Sequence, residues 1–335
     1  MLRSRINLKK IIAYLLAFSL STIFTAQVFA SSTHPIPKKI IGITQIVAHA
    51  SLDQVRQGAI DALQSRGYDR DNAKIMFENA YGNIATAAQI AQKFVSNHAD
   101  VIIAIATPSA QTAIRAARDT HTPVVFATVT DPLKAQLISD LKHPGQNVTG
   151  TRNAPMVDKQ IDLLRQTFPQ LKSIGIILNY AEDNSVQLLQ AINVYCKPLD
   201  IHVAAVAANT SAEVQTATKN LVGKADVLFL LQDNTVAAAL PAVLKVAIDN
   251  KIPVFASYIE AVKAGALFGL AYDEYGIGYQ TGLIAARILS GTRPGDIAVE
   301  DPKKIILAIN QHTARQLGVT FKPELLKKAQ YVFGQ

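Results

Sequence analysis

Between Asp100 and Pro132 the chain reads D-V-I-I-A-I-A-T-P-S-A-Q-T-A-I-R-A-A-R-D-T-H-T-P-V-V-F-A-T-V-T-D-P, and few folds accommodate such a stretch. Val101 to Ala106 is an apolar run with no period-two alternation, which predicts a parallel strand buried on both faces. It stops at Thr107-Pro108-Ser109. Pro108 suits the first turn of a helix, where its missing N–H is no loss, and Thr107 is the expected N-cap. Ala110, Ala113, Ile114 and Ala117 then recur at i, i+3, i+4 and i+7, one face of a helix. A second apolar run, Pro123 to Ala127, breaks at Thr128-Val129-Thr130-Asp131-Pro132. The unit is strand–helix–strand, with hydroxyls at both strand ends. In open α/β sheets ligands bind beyond the carboxyl ends of the strands, and a helix N-terminus there suits an anion.

The same pattern occurs twice. Ile40 to Thr44 is the expected first strand, and Leu52 to Ser65 the helix after it. Lys74 to Asn79 and Ile84 to Ser96 form the next pair. Ser173 to Asn179 mirrors the first strand, followed by a helix over Ser185–Cys196, a strand over His202–Asn209 and a helix over Ala212–Val222. The strand Val227–Leu231 then runs into Gln232-Asp233-Asn234-Thr235. Gly175 stands 133 residues after Gly42, and Ile252-Pro253-Val254-Phe255-Ala256-Ser257-Tyr258 stands 130 residues after Thr122-Pro123-Val124-Val125-Phe126-Ala127-Thr128. Two tandem lobes with one βα order follow. Leu267–Tyr272 is another strand. Gly276–Ser290 is a helix whose Gly278, Gly282, Ala285 and Ala286 permit close packing. Lys304–Asn310 is a late strand, and a short helix starts at Thr313.

The chain has 335 residues, enough for about two domains. Its first 30 residues stand apart. Arg3, Arg5, Lys9 and Lys10 precede an apolar stretch, Ile11 to Phe24, and Val28-Phe29-Ala30 places small residues before Ser31-Ser32. This reads as a cleaved secretory signal; the alternative is an uncleaved anchor, for which the stretch is short. The segment holds four Lys/Arg and no Asp/Glu, so the formal charge of +8 becomes +4 without it. No basic cluster interleaves with aromatics, which argues against nucleic acid. The single cysteine, Cys196, allows no intrachain disulfide, and the residues after the cleavage point offer no lipid-anchoring thiol.

Catalytic signatures are absent: no G-x-S-x-G, no phosphate-binding loop, no G-x-G-x-x-G after the first strand, and no histidine pair at i, i+4. The strand-end loops carry neutral hydrogen-bonding groups, some acids and tyrosines instead. In the first half these are Gln45, His49, Ser51, Tyr81, Thr107, Ser109, Thr128, Thr130 and Asp131. In the second they are Asn179, Glu182, Asn184, Ser185, Asp233, Asn234, Thr235, Ser257 and Tyr272. Singly each reads equally well as a cap or turn residue. Together, at the strand ends of two similar lobes, they mark a cleft.

The motifs I-G-I-T-Q, H-A-S-L-D, A-T-P-S-A-Q, T-D-P, N-V-T-G-T, N-Y-A-E-D-N-S and Q-D-N-T-V, behind a signal sequence, resemble the substrate-binding proteins of ABC importers. The likeness runs from about Lys38 to Val319 and is to the tryptophan/tyrosine-uptake subfamily of the type 1 periplasmic binding fold. Two departures stand out: Ala50 replaces a frequent Pro, and Asn83 replaces a frequent Asp after Gly82. The resemblance implies an α/β protein of two Rossmann-like lobes with parallel sheets, joined by three crossovers near Thr151–Pro155, Asp273–Gly276 and Ile297–Pro302. It divides the chain into a signal peptide (1–30), a linker (31–39), an N-terminal lobe (40–152 plus 276–297) and a C-terminal lobe (153–275 plus 298–335). It implies a monomeric periplasmic receptor, without cofactor or metal and not an enzyme, that passes a small amino acid-like solute to an ABC permease in the inner membrane. Thr107, Ser109 and Thr130 would take the carboxylate, Asp233, with Glu182 as a second candidate, the ammonium, and Tyr81 and Tyr272 would be apolar walls. A purine, sugar or other carboxylate on the same scaffold, a sensory role, and an enzyme are the alternatives left open by the residues.

Overall fold

In the computed structural model residues 38–334 are described, so the signal sequence and most of the linker lie outside the described residues. The first sheet holds β1 (Lys39–Gln45), β2 (Ala73–Asn79), β3 (Val101–Ile105), β4 (Val124–Val129) and β5 (Val148–Arg152) in the order β2-β1-β3-β4-β5. Every pairing in it is parallel. Its helices are α1 (Ala50–Ser65), α2 (Ile84–Ser96) and α3 (Thr107–Ala116). The Val101–Ile105 run is buried throughout, as its lack of alternation predicts.

The second sheet contains β6 (Ser173–Leu178), β7 (His202–Ala207), β8 (Val227–Leu230), β9 (Val254–Ala256), β10 (Phe268–Tyr272), β11 (Ile305–Asn310) and β12 (Tyr331–Phe333). Its order is β12-β11-β10-β9-β8-β6-β7. Around it lie α4 (Val157–Thr167), α5 (Asp183–Cys196), α6 (Val214–Lys219), α7 (Asn234–Ala238), α8 (Leu240–Asp249) and α9 (Ile259–Ala264). Then come α10 (Glu274–Leu289), α11 (Gln311–Leu317) and α12 (Pro323–Lys328). Phe229, Phe255, Phe268 and Phe321 stack through one face, with ring centroids 5.0, 5.0 and 5.5 Å apart.

The molecule is therefore two α/β lobes built on one strand order. Three differences from the sequence reading have physical causes. The β10–β11 pairing is antiparallel, because β11 arrives from the other lobe and not through a βαβ crossover. The expected helix 212–222 is shorter: Ser211–Glu213 forms a 3₁₀ turn before α6. The three-residue edge strand β12 and the helix α12 were not foreseen, since so short an edge strand carries no periodicity.

The chain passes between lobes where β5 gives way to α4, where β10 gives way to α10, and between Asp296 and Ile305. The second passage positions the cleft. α10 lies along α1 so closely that a Cβ on Gly278 would stand 1.9 Å from the Val55 carbonyl oxygen, and one on Gly58 2.2 Å from that of Tyr275. Ile284, Ala285 and Ile288 of α10 complete the first lobe's core. The helix begins at Glu274, so its first residue is held at the passage itself.

Candidate functional site

The carboxyl ends of both sheets face one narrow cleft. From the first lobe come His49, Ser51, Leu52, Ala106, Thr107, Thr128 and Thr130, with Asn153 and Glu274 at the passages. The second lobe contributes Asn184, Gln232, Asp233, Asn234, Ala237 and Tyr258. No Lys or Arg is among these lining residues.

The helix start at the end of β3 is open. Thr107 is the first residue of α3, not its cap; the cap position falls to Ala106, which has no side chain to offer. Its φ of 73° and ψ of 158° turn the chain through a conformation that only glycine adopts at ease. Thr128, at the end of β4, has φ 55°. The first N–H groups of α3 are thus left without a side-chain acceptor, facing the cleft with the positive end of the helix dipole. Ser109 is fully buried, and its hydroxyl has no partner among the described residues.

The matching corner of the second lobe is closed. Asp233 caps α7, accepting from Val236 N at 2.8 Å, and its other oxygen accepts from Asn179 N at 2.7 Å. Glu182 accepts from Asn234 N at 3.1 Å, Thr235 N at 3.0 Å and the Thr235 hydroxyl at 2.9 Å, and from the side chains of Asn234 (2.5 Å) and Asn184 (3.2 Å). Burial and then the Glu182 charge push the Asp233 carboxyl upward, against the pull of these N–H donors. Ser185 supports Asp233 from behind.

Among the described residues, four buried polar atoms around the cleft have no partner: His49 Nε2, Asn153 Oδ1, Asn184 Oδ1 and the Tyr258 hydroxyl. Buried polar groups are seldom left so, which points to a guest that completes them. Burial holds His49 neutral, its pKa lowered to about 4 although the Asn234 side chain and the Asp53 charge oppose this. Glu274 is buried, with its pKa raised to about 8, first by burial and then by Glu260; the Thr128 hydroxyl and Asn153 Nδ2, each at 3.4 Å, oppose the shift.

Of the residues named from sequence, His49, Ser51, Thr107, Thr128, Thr130, Asn184, Asp233 and Asn234 line this cleft. Tyr81, Asn179, Glu182 and Thr235 line a second, wider pocket of about 930 Å³, which also includes Asn234. Tyr81 is 83% exposed there, a rim residue and not a wall. Asn83 caps α2 by accepting from Thr86 N at 2.9 Å.

Gln45, Asp131, Ser257 and Tyr272 fall outside both pockets, as do Ser109 and Ser185. Gln45 braces the turn into α1 by donating to Val47 O and Asp53 and accepting from Arg56. Asp131 caps a turn, accepting from Leu133 N and Lys134 N. Ser257 N donates to Leu230 O at 3.0 Å. Tyr272 ends β10, near the Arg152–Asp301 ion pair.

Asn153, Gln232, Tyr258 and Glu274 were missed. For Tyr258 the signal was present: at the 130-residue offset it is Tyr258, not Ser257, that stands where Thr128 does. The lobes also touch across the cleft. Ser51 Oγ donates to Glu260 at 3.3 Å, and Gln111 Nε2 to Asp183 at 2.6 Å.

Two lobes that close over a polar-ended cleft define a solute-binding protein of the type 1 periplasmic fold. The chain belongs to the ABC transporter substrate-binding protein family, whose model matches residues 40–333. It is 41% identical over 281 residues to a tyrosine-binding protein of Clostridioides difficile, covering 84% of this chain and 81% of that one. A Streptococcus pneumoniae domain solved in complex with L-Trp superposes with a TM-score of 0.85 at 32% identity, over 88% of this chain and 100% of that one. The ligand-free, open structure of a Clostridium difficile substrate-binding protein with adhesive properties gives only 0.66 at 38% identity, over 89% and 100%. Lower superposition at higher identity is what a rotation between lobes produces, and the cross-cleft bonds place this structure among the closed arrangements.

Proposed function

We propose that this chain is the exported receptor of an ABC importer and that it binds an aromatic α-amino acid between its lobes. The observation that carries the reading is the pairing of an uncapped helix start at Thr107 with buried acids, in a cleft lined by no Lys or Arg. A carboxylate suits the α3 N–H groups, and a cation suits Asp233 or Glu274. A ligand that is anionic overall would meet those acids without a compensating base. Leu52, Ala106, Ala237 and Tyr258 supply the apolar surface in place of Tyr81 and Tyr272. The tyrosine- and tryptophan-binding relatives support the aromatic side chain. Transport through a permease, release from the membrane after loss of the leader, a monomeric state and the absence of turnover belong to the same reading.

The test is thermal-shift screening of the mature chain against amino acids, sugars and nucleosides, with small-angle scattering on the best hit. L-Tyrosine or L-tryptophan at about 100 Kd is expected to stabilise by ~2.7 kcal/mol. Recovery of the ligand unchanged separates a receptor from an enzyme. Hits confined to sugars or nucleosides would remove the amino-acid reading.

A further inference from the structure

Glu274 opens α10, at the point where the chain leaves the second lobe for the first. It lines the cleft and is only 6% exposed, yet among the described residues no Lys, Arg or His pairs with it. Its two side-chain bonds, to the Thr128 hydroxyl and Asn153 Nδ2, are both 3.4 Å long, beyond the usual range for a carboxylate acceptor. Beside it Asn153 Oδ1 has no partner. A buried carboxylate held by two loose bonds next to an unused acceptor has room for a strong donor.

We propose that Glu274 receives the ammonium group of the ligand, so that the cation is bound at the hinge between the lobes. This rests on the amino-acid reading above and assigns a role within it. The other acids at the cleft are already engaged. Both oxygens of Asp233 take backbone N–H groups, and Glu182 takes donors from Asn184, Asn234 and Thr235. Glu260 accepts from Ser51 and is absent from the lining.

The charges around Glu274 are acids or already paired. Glu260 on α9 and Asp273 at the head of α10 raise its pKa. On α1, Asp53 pairs with Arg56, and Asp61 accepts from Gln57 and Tyr275. Arg152, at the end of β5, pairs with Asp301. His49 stays neutral across the cleft. A pKa raised to about 8 by burial and the neighbouring acids favours the protonated carboxyl at neutral pH. Capture then exchanges one cation for another: the carboxyl O–H proton leaves to solvent, and the carboxylate accepts from the ligand ammonium. Affinity for an amino acid should therefore fall as pH falls below about 8, by up to tenfold per pH unit.

The experiment is calorimetric titration of the mature chain with L-tyrosine at pH 6 to 8, in two buffers of different ionisation heat. The partner ligand is 3-(4-hydroxyphenyl)propionate, the same molecule without its ammonium. L-Tyrosine is expected to release close to one proton at pH 7, and the desamino analogue none. Glu274→Gln is expected to weaken L-tyrosine by about 10- to 100-fold and the analogue far less. L-Tyrosine binding without proton release, or an equal loss for both ligands, overturns the assignment while leaving the amino-acid reading in place. Failure of both L-tyrosine and L-tryptophan to bind the unaltered chain overturns both. The comparison of two ligands on the unaltered chain needs no variant, so it holds even if Glu274→Gln fails to fold.

Discussion

At the third strand of each lobe's sheet the chain turns into a helix, and the two turns are finished in opposite ways. After β3 the turn is made by Ala106 at φ 73°, and α3 starts with no side-chain cap. After β8 it is made by Asp233 at an ordinary extended φ of −100°, whose carboxylate caps α7, while Glu182 reaches over from the end of the neighbouring strand's loop. The repeat supplied one architecture, and a few side chains gave its two copies different electrostatics. The first lobe leaves its helix N-terminus without a side-chain cap, as the proposed carboxylate site requires. The second lobe has spent its own acids on the same kind of N-terminus and offers a guest little there for a carboxylate.

The comparison breaks most visibly if the first turn is made like the second. Ala106→Asp places a carboxylate beside the open N–H groups of α3. It should occupy the anion site and repel the ligand carboxylate, lowering affinity for L-tyrosine by about 100-fold or more, ~3 kcal/mol. The fold should survive, since a cap favours the helix. Calorimetry with a parallel unfolding curve checks both halves. Undiminished affinity would place the carboxylate elsewhere.

The converse change opens the second corner. Glu182→Ala strips the acceptor from Asn234 N, Thr235 N and the Thr235 hydroxyl, all in buried or half-buried surroundings. The expected loss is about 2–3 kcal/mol of stability, read by denaturant unfolding. Some of it is returned, because Asp233 loses the neighbour that raises its pKa. A variant as stable as the parent would show that Glu182 does not close this corner, and would return it to the list of ligand contacts.

Glu274 sharpens the contrast through pH. Burial and the neighbouring Glu260 raise the Glu274 carboxyl from its ordinary 4.5 to about 8 in the fold. The folded chain holds that proton more tightly, so this group favours folding below pH 4.5 and the advantage is lost as pH rises through 8. Glu274→Gln stays neutral throughout. The variant should therefore gain on the parent by about 1.4 kcal/mol for each pH unit between 4.5 and 8, and no further above that. Thermal unfolding across that range tests it. Parallel curves would mean that the parent carboxyl is already charged in the empty cleft.

Much of this molecule is legible in its sequence because burial writes itself as composition. The strand Val101–Ile105 has no polar position since neither face meets water, and Gly278 is needed where α10 touches α1. The two turns were found as motifs, T-P-S and Q-D-N-T, because strand ends and helix starts have local chemistry. What stayed hidden depended on tertiary placement. Asp273-Glu274 reads as a pair of acids in a helix's first turn, an arrangement that favours any exposed helix. Only the tight α1–α10 contact turns Glu274 into the cleft. Asp233 read equally well as a cleft residue and as a cap, and it is a cleft-lining residue that also caps α7. Nothing in its neighbours announces that Asn179 N, 54 residues earlier, will claim its second oxygen.

The smallest effect concerns the strain of the open turn. Ala106 sits at φ 73° and ψ 158° in the middle of a well-packed sheet edge, 3% exposed, with its N–H donating to Ala127 O at 3.0 Å. Holding an alanine there costs of order 1–3 kcal/mol, while glycine, free of the Cβ clash, loses about 0.5–1 kcal/mol more chain entropy on folding. Ala106→Gly should thus stabilise the ligand-free chain by about 1 kcal/mol, and it should leave affinity for L-tyrosine nearly unchanged, since the N–H groups of α3 keep their places. At the other turn the sign reverses: Asp233→Ala has no strain to relieve and gives up a cap, a loss of about 1–2 kcal/mol. Denaturant unfolding of the two variants side by side reads the difference. If both are destabilised, Ala106 is not strained, and the open corner of the first lobe stays open only because it lacks an acid.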